Sequence, residues 1–197
     1  MPGISSAMAV RPHLPLSVGY TTGKYYGPSF VGVVLNSTVT LTAGRDYFVP
    51  FLCRRSKSFD RIALRNTAAV ATTFRLAVYA DDGGGHPGAL VEAGSELTCG
   101  GAAGDNAATL SATSLTGGTL YWLAFNCNSN LAVPAVYTNS GSTPAYDNAA
   151  DFPVPDAAAV NYGSFPYSTR AYAAFPSTAT AWSDMDASAP LIRLRAA

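Results

Sequence analysis

Few residues in this chain have the types and spacing that chemistry needs, and they concentrate in one stretch. Asp81-Asp82-Gly83-Gly84-Gly85-His86-Pro87-Gly88 brings together two carboxylates and one of only two histidines. Carboxylates in a loop can ligate calcium, and a carboxylate beside an imidazole can move protons. The same residues are also turn-formers, because Asp bonds its own backbone and Gly adopts positive φ. The flanks favour that second use. Phe74-Arg75-Leu76-Ala77-Val78-Tyr79 alternates like a half-buried strand, and Ala89-Leu90-Val91 starts another extended run. The stretch therefore reads as strand, tight turn and return strand, with Asp81 and Asp82 shaping the turn and calcium as the alternative. Its glycines precede a strand rather than a helix, so they do not form a phosphate cradle.

His13 lies between Pro12 and Pro15. There is no Gly-x-Ser-x-Gly elbow, no His-Glu-x-x-His and no Gly-x-x-x-x-Gly-Lys. Two further carboxylate pairs, Glu92/Glu96 and Asp184/Asp186, stand close in sequence. On one strand Glu92 and Glu96 share a face, expected to be the solvated one. A glycoside hydrolase would need two carboxyls roughly 5 to 9 Å apart across a cleft, and no spacing here signals such a pair. Cys53, Cys99 and Cys127 are odd in number and far apart, which argues against a disulfide framework or a zinc site. They are expected to be buried free thiols, as suits folding in a reducing cytoplasm. Tyr121-Trp122 has the makings of a sugar-stacking platform, but an apolar run on both sides favours core. The expectation is a protein that is not an enzyme and needs no cofactor or metal.

Composition narrows the partners. Charged residues are 12% of the chain, about half the usual quarter, and the formal net charge is +0. With no Lys/Arg run longer than Arg54-Arg55, nucleic acid is not an expected partner. Near-zero net charge promotes association, so self-assembly is expected. The start, Met1-Pro2-Gly3-Ile4-Ser5-Ser6, lacks a charged region followed by an apolar one, so no secretory signal is expected. No run of 18 apolar residues predicts a membrane span.

Three regions position these residues. Residues 1–29 are rich in Pro and Gly and read as an N-terminal arm or linker, ending in the tyrosines Tyr20, Tyr25 and Tyr26. Residues 30–138 carry short alternating runs at roughly ten-residue spacing. Within them, residues 59–65 place Ile62 and Leu64 on the inner face with Asp60, which breaks the pattern and is expected at the strand mouth, and Arg61 and Arg65 outside; residues 90–99 read as one strand, and residues 120–125 are apolar on both faces, as a central strand must be. Residues 139–197 are loop-rich and aromatic, closing with a strand over 189–195. The predicted fold is all-β: a jelly-roll-like antiparallel sandwich with an extended N-terminal arm and a long loop-rich C-terminal segment. Exposed aromatics in the two end regions are the candidate assembly surface: Tyr20, Tyr25, Tyr26, Phe165, Tyr167, Tyr172 and Phe175. Asp82, His86 and Trp182 are the candidates for contact with a glycan or receptor.

Several of these motifs carry a resemblance. Phe59-Asp60-Arg61-Ile62, Phe74-Arg75-Leu76-Ala77-Val78-Tyr79-Ala80-Asp81, His86-Pro87-Gly88-Ala89-Leu90 and Leu115-Thr116-Gly117-Gly118-Thr119-Leu120-Tyr121-Trp122-Leu123-Ala124 resemble a β-sandwich module of tailed-bacteriophage virion structural proteins. Tyr25-Tyr26-Gly27-Pro28 and Ile192-Arg193-Leu194 are similar too, so the likeness covers about half the chain. Such modules occur in head decorations, fibres and receptor-binding tips, often as trimers, and bring no catalytic residues. The resemblance implies a virion protein made in the bacterial host cytoplasm, a homotrimer contacting other capsid or tail proteins. The chain is short and has no coiled-coil shaft, which favours a decoration or short spike over a full fibre. The alternative it implies is a module that binds host-surface glycan.

Overall fold

The computed structural model describes residues 19–28, 38–137, 165–180, 184–186 and 188–197. Among them there are fourteen strands and no helix: β1 (Tyr25–Tyr26), β2 (Thr38–Leu41), β3 (Arg45–Cys53), β4 (Lys57–Asn66), β5 (Thr73–Asp81), β6 (Pro87–Ala93), β7 (Leu97–Thr98), β8 (Gly104–Leu115), β9 (Thr119–Cys127), β10 (Leu131–Tyr137), β11 (Phe165–Thr169), β12 (Asp184–Asp186), β13 (Ser188–Pro190) and β14 (Arg193–Ala196). All pairings are antiparallel. A long sheet runs β12-β11-β3-β9-β5-β6, with β7 also on β5; a short sheet runs β1-β14-β4-β8; a ribbon β13-β10-β2 adds Leu41, Leu131 and Val133 to the core. The chain passes between the sheets from β3 to β4, from β4 to β5, from β7 to β8 and from β8 to β9, giving the expected jelly-roll-like sandwich.

Period-two alternation builds the core. Tyr47, Val49, Phe51 and Cys53 of β3, Phe74, Leu76 and Val78 of β5, and Tyr121, Leu123, Phe125 and Cys127 of β9 face the short sheet. Phe59, Ile62 and Leu64 of β4 and Leu194 of β14 meet them. Each fully buried aliphatic or aromatic side chain contributes roughly 1.5–3 kcal/mol. The alternate residues of the long sheet, Phe48, Ala77, Tyr79, Trp122 and Ala124, form a second buried cluster on its other face. Strand β9 is therefore covered on both sides, as its sequence predicts, and Tyr121 and Trp122 are core. At Pro50, β3 pairs only with β9, since β11 pairs no further than Tyr47, so the missing amide leaves no gap in the ladder.

Three expectations are corrected. Asp60 does not face inward. It is the extra residue of a bulge, where β14 steps from Arg195 opposite Arg61 to Ala196 opposite Phe59. The bulge shifts the alternation by one, so that both Phe59 and Ile62 reach the core while Asp60 bonds Arg195 instead. Residues 90–99 are not one strand. The chain breaks at Gly94, whose amide donates to Leu76 O at 2.9 Å. Glu92 consequently lies on β6 and Glu96 in the connection before β7, so the two share no strand face. The closing strand is likewise two strands, β13 and β14, split where the Ile192 amide turns back onto Pro190 O. The β-rich pattern of Val31, Val33 and Val34, and the single turn of helix that the sequence of Ala157, Ala158 and Ala159 would allow, both fall outside the described residues.

Gly94 also packs tightly against the short sheet. A Cβ there would stand 2.5 Å from the Ala108 Cβ. Gly94→Ala is expected to cost about 1–3 kcal/mol through overpacking, and Ala108→Gly in the same chain to recover part of it. Urea unfolding midpoints of the three proteins check this.

Candidate functional site

The hairpin tip is turn chemistry. Asp81 Oδ2 accepts from the amides of Gly83 at 2.9 Å and Gly85 at 3.3 Å, while its Oδ1 accepts from Trp122 Nε1 at 3.0 Å. Asp82 Oδ1 accepts from the amides of Gly84 at 2.7 Å and His86 at 3.2 Å, and its other oxygen lies 3.3 Å from His86 Nδ1. Gly83 and Gly85 have φ of 93° and 84°, a conformation that favours glycine. The Gly84 amide, first among these donors, holds the Asp82 carboxyl below its ordinary range. Asp82 and His86 remain partly exposed at the tip; Trp182 lies outside the described residues.

The aromatic candidates are mostly used within the chain. Tyr20 stacks edge-on against Tyr26 and Phe59, and its hydroxyl accepts from the Arg54 amide at 3.0 Å. Burial pushes the Tyr20 phenol up to about 12. Tyr26 accepts from the Thr21 amide at 2.6 Å. Phe165 is buried, and Tyr167 lies beneath the Arg45 guanidinium. The Tyr172 hydroxyl donates to Glu96, which also pairs with Arg75 at 2.7 Å. Phe175 is buried edge-on against Tyr79 in the outer cluster. Tyr25 alone of the seven is counted among the exposed large hydrophobic residues, at 42% exposure.

One polar node holds this arrangement, and the sequence reading missed it. Asp46 on β3 is 1% exposed and receives the Arg170 guanidinium through both oxygens, by Nε and by Nη2 at 2.9 Å. Asn126 Nδ2 donates to the same carboxylate at 2.6 Å. The Arg170 amide donates to Gly44 O, and its guanidinium also reaches Ala174 O at 3.1 Å. Residues 170–180 thereby lie as a strap over the outer cluster. The strap is tied to the hairpin by Leu90 N to Ser177 O and Ala179 N to Gly88 O, both at 2.8 Å, and by the Tyr79 hydroxyl to Pro176 O at 2.9 Å. The available signal was scarce charge: Asp46 is the only carboxylate in β3, and Arg170 is the only Lys or Arg between Arg75 and Arg193.

The remaining candidates are structural as well. Glu92 accepts from the Ser111 amide at 2.6 Å and from the hydroxyls of Ser111 and Thr113. It braces the β8 bulge, where Ala112 has φ of 61°. Cys53, Cys99 and Cys127 are buried free thiols, as expected. Burial raises all three, Cys127 to about 12. Among the described residues no three His, Cys, Asp or Glu side chains converge as a metal site.

What remains open is a groove of about 300 Å³ on the outer face of the short sheet. Pairing aligns Arg193, Ala63 and Ala107 in one cross-strand row, with Arg65 and Asp105 in a second. Tyr25, Arg195, Arg61 and Thr109 form a third. The two alanines make a low floor between rows of long side chains, and Tyr25, Leu191 and Arg193 complete the lining. Arg195 pairs with Asp60 at 2.6 Å, Arg65 with Asp105 at 3.3 Å, and Arg61 bonds the Thr109 hydroxyl. Four arginines thus meet two carboxylates on this face. The sequence placed Arg61 and Arg65 outside, but not Arg193 beside them, because only the β4–β14 register joins them.

Removing Arg170 as Arg170→Leu leaves Asp46 buried and uncompensated. The expected cost is about 3–5 kcal/mol, with partial recovery in Asp46→Leu/Arg170→Leu; chemical denaturation measures both. Asp60 behaves differently because it is a third exposed. The Arg195 hydrogen bonds hold its carboxyl below the ordinary 3.8. A depressed folded value means stabilisation that is present above pH 3.8 and lost as pH falls through the folded value. Asp60→Asn should therefore flatten the fall of stability below pH 3.8 while changing neutral stability by no more than about 1 kcal/mol, as thermal melts across pH would register.

No protein-family model matches the chain, and no curated protein matches it.

Proposed function

We propose that this chain is a non-enzymatic structural subunit of a tailed-phage virion, self-associating as a trimer and mounted as a capsid decoration, short spike or tail-associated piece. The observation that carries the non-catalytic part is the use of its acids. All seven carboxylates whose side chains are described, Asp46, Asp60, Asp81, Asp82, Glu92, Glu96 and Asp105, accept hydrogen bonds from their own chain. An acid or base spent on a turn, a bulge or a strap is poorly placed to serve a substrate. The resemblance in the strand and hairpin motifs, the scarcity of charge and the sandwich fold support the virion part of the reading. Most of the aromatic candidates hold the subunit itself together, so the contact surface shifts to the short-sheet face around Tyr25.

A second reading, contact with host-surface glycan, is favoured by the groove beside Tyr25 rather than by the hairpin tip. An exposed ring flanked by arginines and a carboxylate is a side-chain set suited to a sugar ring.

Sedimentation of the purified chain together with imaging of particles carrying it in labelled form tests the main reading. The expected result is a trimer in solution and regular label on head or tail. A monomer that never appears in particles contradicts it.

A further inference from the structure

We propose that the groove on the outer face of the short sheet binds an anionic saccharide, one or two carboxylate-bearing rings of a longer glycan. The inference rests on the glycan reading above and gives it a site and a ligand charge. It does not depend on mounting in a particle.

Size, shape and charge each contribute. At about 300 Å³, the groove is at the lower end of the roughly 300–1,000 Å³ of small-molecule sites, which limits the bound portion to a ring or two. Its floor is Ala63 and Ala107, flat enough for a ring to lie on, and its rim carries the exposed Tyr25. Aromatic faces cover the apolar side of a sugar ring while the tyrosine hydroxyl stays wet. Charge then selects among sugars. The chain has no net charge, yet this face sets Arg61, Arg65, Arg193 and Arg195 against only Asp60 and Asp105. Arg195 is paired with Asp60 through two contacts. Arg193 lines the groove, and among the described residues no carboxylate forms an ion pair with it. Arg65 is tethered by a single 3.3 Å contact to Asp105, with its side chain 48% exposed. That leaves one guanidinium available at the end of the alanine row and a second held in place in the adjacent row, on the neighbouring strand, so that a carboxylate entering the groove can meet both. Guanidinium–carboxylate bonds are the strong, geometrically specific kind.

The test uses the full-length chain and calorimetric titration with a glucuronate hexasaccharide, a neutral glucose hexasaccharide and hexaglutamate. The expected order is binding of the glucuronate probe alone, weakening as salt rises from low to physiological. Arg193→Ala and Arg65→Gln should each weaken it about tenfold, and Tyr25→Ala by several-fold, with melting temperatures unchanged because all three side chains are at the surface. Unaltered affinity in the variants overturns the site while sparing the glycan reading. No binding of either saccharide overturns both. Equal binding of hexaglutamate overturns the saccharide assignment and makes the face a docking surface for acidic protein segments.

Discussion

Strand β9 buries apolar side chains on both faces, so it is stable only when both are covered. The short sheet covers one. The other is covered by residues 170–180, and what keeps them there is the buried carboxylate of Asp46 gripping Arg170. An ion pair taken out of water gains little net energy over apolar packing, yet it is costly to break from one side. That asymmetry makes it a good fastener. The strap cannot lift without stranding a charge, and while it is down, Phe175 seals Tyr79 and Trp122 from solvent. This contact anchors the start of the strap, and the hydrogen bonds of Leu90, Ala179 and Tyr79 fix the rest of it to the hairpin.

A second local device shapes the opposite side. The bulge at Asp60 lets β4 send both Phe59 and Ile62 inward, and its extra residue is pinned by Arg195. The outer face of the short sheet is left with arginines standing over an alanine floor. The two sheets therefore differ: the long sheet is sealed on both faces, while the outer face of the short sheet carries a charged groove.

Much of the architecture was legible from period-two patterns. Residues 46–53, 74–79 and 120–125 alternate cleanly and became β3, β5 and β9, and the Asp-Gly-rich turn behaves as its residues demand. Local patterns carry such elements because each strand's two faces are written in its own sequence. What was not legible depends on distant partners. Asp60 looked inward because a bulge is set by the neighbouring strand's register. Glu92 and Glu96 looked paired because Gly94, where a close sheet-to-sheet approach breaks the strand, was read as part of a continuous run. The aromatics of the C-terminal segment looked like an external surface because Arg170 and Asp46 are 124 residues apart. The groove was half legible: Arg61 and Arg65 could be placed outside, but not Arg193 beside them.

The outer face of the long sheet stays buried only if the strap belongs to the folded body. Amide hydrogen exchange of the intact chain at neutral pH tests this directly, because the amides of Leu90, Arg170 and Ala179 donate across the strap's boundaries. Protection of all three close to that of the central strand β9 is the predicted result. Exchange of these amides at unprotected rates, with β9 still protected, would show that the outer face is covered by something else.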